Sequence, residues 1–220
     1  MGNLSYDVAH LLGTSVLVLS FALLFQRRIL GVLNIFALQA AVLAAAAAWQ
    51  GFTQDAPHLY ITAAIALAFK AIIIPLALRR IAFRFQIHRT VETVLGIGLT
   101  MIAGVCLVGL AIVLVLPLTR QSVLMTRDDL ALALSIVLIG LLMMITRRNA
   151  LTQVVGFMSL ENGLILAAVG VVGMPLVVEM SVAFSVMVAF IIFGIFFFHI
   201  RDRFDTLDLQ SLETFRGERQ

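Results

Sequence analysis

Seven stretches of about 20 apolar residues follow one another along this chain, separated by short polar turns, and that succession constrains the fold more than any motif. A helix needs roughly 20 apolar residues to cross a hydrocarbon core about 30 Å thick. The stretches run approximately over 8–26, 30–49, 59–78, 92–116, 129–146, 151–172 and 179–199. Inside a bilayer the backbone must satisfy its own hydrogen bonds, so only helices and closed barrels cross it. A barrel alternates apolar and polar residues, whereas Ile72-Ile73-Ile74 and the run from Phe193 to Phe198 are apolar on every side. The expected fold is all-α: a polytopic membrane protein with seven transmembrane helices.

Composition closes the other routes. Of 220 residues, 62% are apolar and 12% charged, about half the charged share of a soluble domain. Too few polar side chains remain to cover a water-facing surface, and disorder is excluded by the same balance. A single cysteine, Cys106, excludes a disulfide scaffold. The first stretch is not read as a cleaved signal, because no basic residue precedes it and Arg27-Arg28 follow as a stop.

Arginine placement sets the expected orientation, since basic residues collect in cytoplasmic loops. The first, third and fifth loops and the tail carry Arg27, Arg28, Arg79, Arg80, Arg84, Arg89, Arg147, Arg148, Arg201, Arg203, Arg216 and Arg219. The opposite side has Arg120 and Arg127, beside Asp128 and Asp129. The N-terminus is expected outside and the C-terminus in the cytoplasm. Topology accounts for these arginines without a nucleic-acid partner; contact with anionic lipid is compatible with the same loops.

Two segments resemble each other. Arg27-Arg28 leads to Asn34 and Gln39 before an Ala-rich run, and Arg147-Arg148 leads to Ser159 and Glu161 before Asn162-Gly163. Ala68-Phe69-Lys70 pairs with Ala189-Phe190-Ile191 at nearly the same offset. The chain thus divides into a first three-helix repeat over 1–91, a linking helix over 92–128, a second three-helix repeat over 129–204 and a tail over 205–220. An odd linking helix lets both repeats run in the same direction. Gln39 then stands where the other copy has Glu161.

Two charges lie inside the apolar stretches. Glu161 is about 20 Å of helix from Arg148, and Lys70, the chain's one lysine, is about 13 Å from Arg79. Neither reaches the interface by snorkelling. A charge at that depth costs at least about 2.5–3.5 kcal/mol, and such residues persist where they pair, ligate or relay protons. Glu161 reads either as a proton-carrying acid or as a neutral acid pinning helices, with Asn162 and Ser159 as partners. Lys70 reads either as a second charge of a relay or as an ion-pair partner for an acid in another subunit, since the sequence does not demand pairing with Glu161 in the same chain. Pro75 is expected to bend its helix by removing a donor to Ala71.

Weaker candidates are Glu92 at the start of span four, Ser185, and His199 near a span end, with Asn34 as a further water-wire member. Met143-Met144 is expected on a lipid- or subunit-facing surface, and Cys106 reads as buried. Gly96, Gly98, Gly104 and Gly109 suggest close helix approach in span four. No CxxC, phosphate loop or haem-type histidine pair occurs, so no cofactor and no metal are expected.

The run from Leu132 to Gly217 resembles the small three-helix K subunit of respiratory complex I. The likeness rests on Arg147-Arg148-Asn149, on Gly156-Phe157-Met158-Ser159-Leu160-Glu161-Asn162, and on the tail from Asp208 to Gly217. With the added N-terminal half, the whole is similar to the hydrogenase-4 component E family, membrane proteins of formate-hydrogenlyase-type complexes. The resemblance implies a cofactor-free membrane-arm subunit between a hydrogenase- or quinone-proximal membrane subunit and antiporter-like subunits, in a bacterial or archaeal cytoplasmic membrane. It places Glu161 on a hydrophilic axis, whereas the family's second glutamate has no counterpart over 185–189. Lys70 is expected to supply the second charge, with Gln39 and Asn162 holding the path. The alternatives are a C-type subunit of a multisubunit cation/proton antiporter and a stand-alone 3+1+3 solute transporter. The extra N-terminal half argues against the first, and ionisable repeat centres with four prolines argue against the second.

Overall fold

The computed structural model describes residues 2–84, 96–118, 124–170 and the single positions 187 and 191. Its described part contains six helices long and apolar enough to cross a membrane. They are α1 (Gly2–Phe25), α2 (Ile29–Thr53), a composite third span, α5 (Ile97–Leu118), α6 (Leu124–Thr146) and α7 (Ala150–Gly170). The third span is built of α3 (Pro57–Ile65), a π-helical segment (Ala66–Ile73) and α4 (Ile74–Arg84). Apart from positions 187 and 191, the expected seventh stretch over 179–199 and the tail lie outside the described residues, so the six spans are those of the described residues.

Short turns make the helices antiparallel neighbours. The hairpin α1–α2 lies beside the hairpin α6–α7, with α1 against α6 and α2 against α7, and the third span packs on α2. Pro57 opens α3 at its first turn, where its missing N–H is no loss. Before it, Asp55 adopts a left-handed φ of 52°, a conformation Asp tolerates, and Gln54 donates from its side chain to the Val169 carbonyl at 3.0 Å. That bond ties the α2–α3 turn to the end of α7.

At the opposite end the chain does something its sequence does not announce. Arg147, expected in a basic loop, is 2% exposed. Its Nη2 donates to the Leu23 and Leu24 carbonyls at 3.0 and 2.7 Å. A cation on the last carbonyls of α1 meets the negative end of that helix. Burial pushes the Arg147 pKa down from its ordinary value, yet a guanidinium stays charged at any physiological pH. Nearby, Arg79 donates to Asn34 at 2.7 Å, so the arginine-bearing ends of α1, α2, α4 and α6 gather at one end.

Along its length the described bundle is built in three layers. Toward the arginine-bearing end lies a cluster of large side chains, including Leu23, Leu33, Phe36, Ile74, Leu78, Met143 and Met158. Toward the other end lies a second cluster richer in alanine, with Leu43, Ala46, Ala47, Ala63, Ala133 and Ile165. Between them sits a thin layer of buried polar groups. Met143 is thus core rather than lipid surface, because α6 turns that face onto α1 and α7. Cys106 is exposed, not buried, since α5 is an edge helix whose contacts are with α6 and α1.

Small residues set the tightest seam, as expected where lipid leaves little hydrophobic drive between helices. A Cβ on Gly140 would lie 2.6 Å from the Leu160 nitrogen, and one on Gly163 would lie 2.9 Å from the Ala133 oxygen. The glycines singled out in span four behave differently. Gly104 meets Phe21 and Leu24, whereas no described residue lies within 4 Å of a Cβ built at Gly96, Gly98 or Gly109.

Candidate functional site: a buried polar layer

The polar layer draws on four elements. Lys70 comes from the π segment and is 1% exposed; Gln39 comes from α2, Ser20 from α1, and Ser159, Glu161 and Asn162 from α7. The π turn is what aims the lysine. In an α-helix a four-residue step overshoots one turn by about 40°. The buried positions Ala66, Lys70, Ile74 and Leu78 follow such steps, and would drift by about 120° across three of them. Bonds closing five residues back, as from the Ile74 N–H to the Phe69 carbonyl, unwind that drift and keep all four on one face. The wider turn also ends just before Pro75, whose ring would press on the Ala71 carbonyl in an α-helix. The expected bend is therefore realised as a change of helix type centred on Lys70, and π turns recur at functional sites.

Lys70 Nζ stands 3.2 Å from Glu161 Oε2 and donates to Asn162 Oδ1 at 2.9 Å. Asn162 Nδ2 donates to Gln39 Oε1 at 3.2 Å. Gln39 Nε2 then donates to Ser20 Oγ at 2.7 Å and Ser159 Oγ at 3.0 Å. Ser20 completes the series by donating to the Val16 carbonyl. Every donor points away from the ammonium, so each bond polarises the next. Gln39 and Glu161 occur in one layer, joined through Asn162 and Lys70.

Chemically, the members are not equivalent. An amide has acceptor and donor atoms but no proton to surrender near neutral pH. Gln39 and Asn162 therefore orient, and the Lys70–Glu161 pair is the place where a proton can change owner. Ammonium with carboxylate, and amine with carboxylic acid, carry the same net charge. Transfer between them leaves the layer's total charge unchanged; a charge arriving from outside the layer is needed to split the pair.

The remaining candidates separate clearly. Glu92, Ser185 and His199 lie outside the described residues. Asn34 is exposed and holds Arg79 at the arginine-bearing end, about five residues of helix from Gln39, so it is no member of the layer. Ser20 has no distinguishing spacing as one serine in an apolar helix; its depth relative to Arg27 is the usable signal in the sequence. Ser159, expected as a partner for Glu161, accepts from Gln39. Among the described residues no group of three or more His, Cys, Asp or Glu could hold a metal ion.

No protein-family profile and no solved structure matches the chain. It is similar to a protein of Mycobacterium tuberculosis named "Uncharacterized protein Rv0085", with 29% identity over 223 residues. The likeness covers 98% of this chain and 100% of the mycobacterial one, so it takes in the α1–α4 half as well as α6 and α7.

Proposed function

We propose that this chain is a cofactor-free membrane-arm subunit of a complex I-like or group 4 hydrogenase-type complex, in which the Lys70–Glu161 pair takes part in proton translocation. One observation carries the reading: a lysine and a glutamate 3.2 Å apart, 1% and 4% exposed, held in a polar layer between two apolar ones. Removing ions from water costs several kcal/mol each, and a buried pair is often no more stable than apolar residues of its size. A stability role alone is thus a poor reason to keep one there. In the proposed cycle, electron transfer in neighbouring subunits brings charge to the layer and splits the pair. Glu161 or Lys70 then exchanges a proton, and re-pairing restores the resting state. Moving one charge across 100 mV takes about 2.3 kcal/mol, the equivalent of a pKa swing of about two units.

The polar centre closes on itself at hydrogen-bond distances rather than around a solute. That favours the subunit reading over a stand-alone solute carrier. In this reading the N-terminus is outside, the tail is cytoplasmic, and the partners are antiporter-like subunits and the membrane subunit of the hydrogenase or quinone module.

The test is purification from the native membrane in mild detergent, followed by reconstitution of whatever copurifies. Iron–sulfur and antiporter-like subunits are expected with the chain, and Glu161→Gln is expected to abolish proton uptake into the liposomes while the assembly stays intact. A solitary protein that moves a solute by itself would overturn the proposal.

A further inference from the structure

A groove of about 720 Å³ runs along the outer face of the α1–α2 hairpin. Asp7 and His10 stand at one end, Leu11, Thr14 and Ser15 follow, and Val18, Leu19, Leu38 and Val42 line the part toward mid-length. From Asp7 to Leu19 is 12 residues, about 18 Å of helix. That slightly exceeds one leaflet's share of a hydrocarbon core about 30 Å thick. The groove lies within the spans Ser5–Phe25 and Ile29–Thr53, and Val18 and Leu38 on its rim are exposed, so it opens onto the apolar outer surface of the described helices. Polar at the end away from the arginines and apolar toward mid-length, it has the profile of a phospholipid lying along the membrane normal.

Charge selects among phospholipids. The charged lining residue is Asp7, which is exposed. Behind it Tyr6 donates to Asp128 at 3.0 Å and stacks on His10 with ring centroids 5.7 Å apart, and Asp129 stands near enough to act on the same groups. Asp7 is thus the carboxylate that lines this mouth, and Asp128 and Asp129 of α6 add negative charge behind Tyr6. They repel a net-negative headgroup and attract a primary ammonium, which can also donate hydrogen bonds where a quaternary one cannot.

We propose that the α1–α2 groove is a binding site for one phosphatidylethanolamine molecule, with an acyl chain along Val18, Leu19, Leu38 and Val42 and the headgroup ammonium on Asp7. The test uses the purified chain or its assembly, mixed with equimolar phosphatidylethanolamine, phosphatidylcholine and phosphatidylglycerol of identical acyl chains. Retained lipid is then counted by native mass spectrometry. Phosphatidylethanolamine is expected in excess over the other two by about 1.5- to fivefold, the ratio an exposed ion pair supplies. Asp7→Asn should erase the preference, and Leu38→Trp, which fills the groove, should lower retention of all three. Size-exclusion profiles matching the unaltered protein control for folding, with Val18→Trp as the second groove-filling variant. No excess, an excess that survives Asp7→Asn, or a partner subunit's helix seated in the groove would each overturn the site.

Discussion

In the proposed function Lys70 and Glu161 carry the proton chemistry, and their energetics can be separated from their use. Removing one partner leaves the other charge buried and unpaired, which costs about 3–5 kcal/mol. Lys70→Met and Glu161→Leu should each lower the unfolding midpoint of the detergent-solubilised protein strongly. The double variant should regain most of that loss, because matched apolar groups need no partner. Proton uptake should be lost in all three. If the double variant is both stable and active, the pair holds helices and nothing more. Arg147 tests a different kind of buried charge, one held by the carbonyls of Leu23 and Leu24. Arg147→Ala should cost about 1.5–3 kcal/mol, the worth of a hydrogen bond to a charged group, and Arg147→Lys should recover part of it. The depth of Lys70 and Glu161 is legible from residue counts alone. Their partnership is not, because residue order sets depth along each helix but says nothing about which faces meet. Arg147 shows the reverse failure: a loop arginine looks solvated until the neighbouring helix end is known.

The π segment and the α6–α7 seam decide how those faces meet. Deleting Ile72, an exposed residue of the π segment, shortens that stretch by one position and should return it to α-helical spacing. Lys70 would then lose its aim at Glu161. The deletion should destabilise the protein about as much as Lys70→Met does, and adding Glu161→Leu should relieve it, a non-additivity that unfolding measurements read directly. Full additivity would mean that the segment does not position the lysine. At the seam, Gly163→Ala sets a methyl 2.9 Å from the Ala133 oxygen and the Val137 nitrogen, backbone atoms that cannot swing aside. Overpacking of this kind costs about 1–3 kcal/mol. Since Gly163 adjoins Asn162, separation of α6 and α7 should also disturb the polar layer. Helix existence is readable here from apolar run length. The change of helix type is not; the one trace of it in the sequence is Pro75, five residues after Lys70.

Taken whole, the molecule orders its polarity along one axis: an arginine-bearing end, a cluster of large apolar side chains, a thin polar layer, an alanine-rich cluster, and an end with Asp7, Asp128 and Asp129. The contacts from Arg147 to Leu23 and from Arg79 to Asn34 bring the α1–α2 turn, the α6–α7 turn and the end of α4 to the same end of the bundle. Basic residues near span ends are retained on the cytoplasmic side, so in the proposed orientation that end faces the cytoplasm. In a Cys106→Ser background, Arg28→Cys and Arg148→Cys should react with a membrane-impermeant thiol reagent from the cytoplasmic face of sealed vesicles. Phe52→Cys, 70% exposed at the other end of α2, should react from the outer face. The same pattern with its sides exchanged would invert the direction in which the pair faces the proton gradient. Labelling of Arg28→Cys and Phe52→Cys from one face would mean that α2 does not cross the bilayer, and the polar layer would then lose its place in the middle of the membrane.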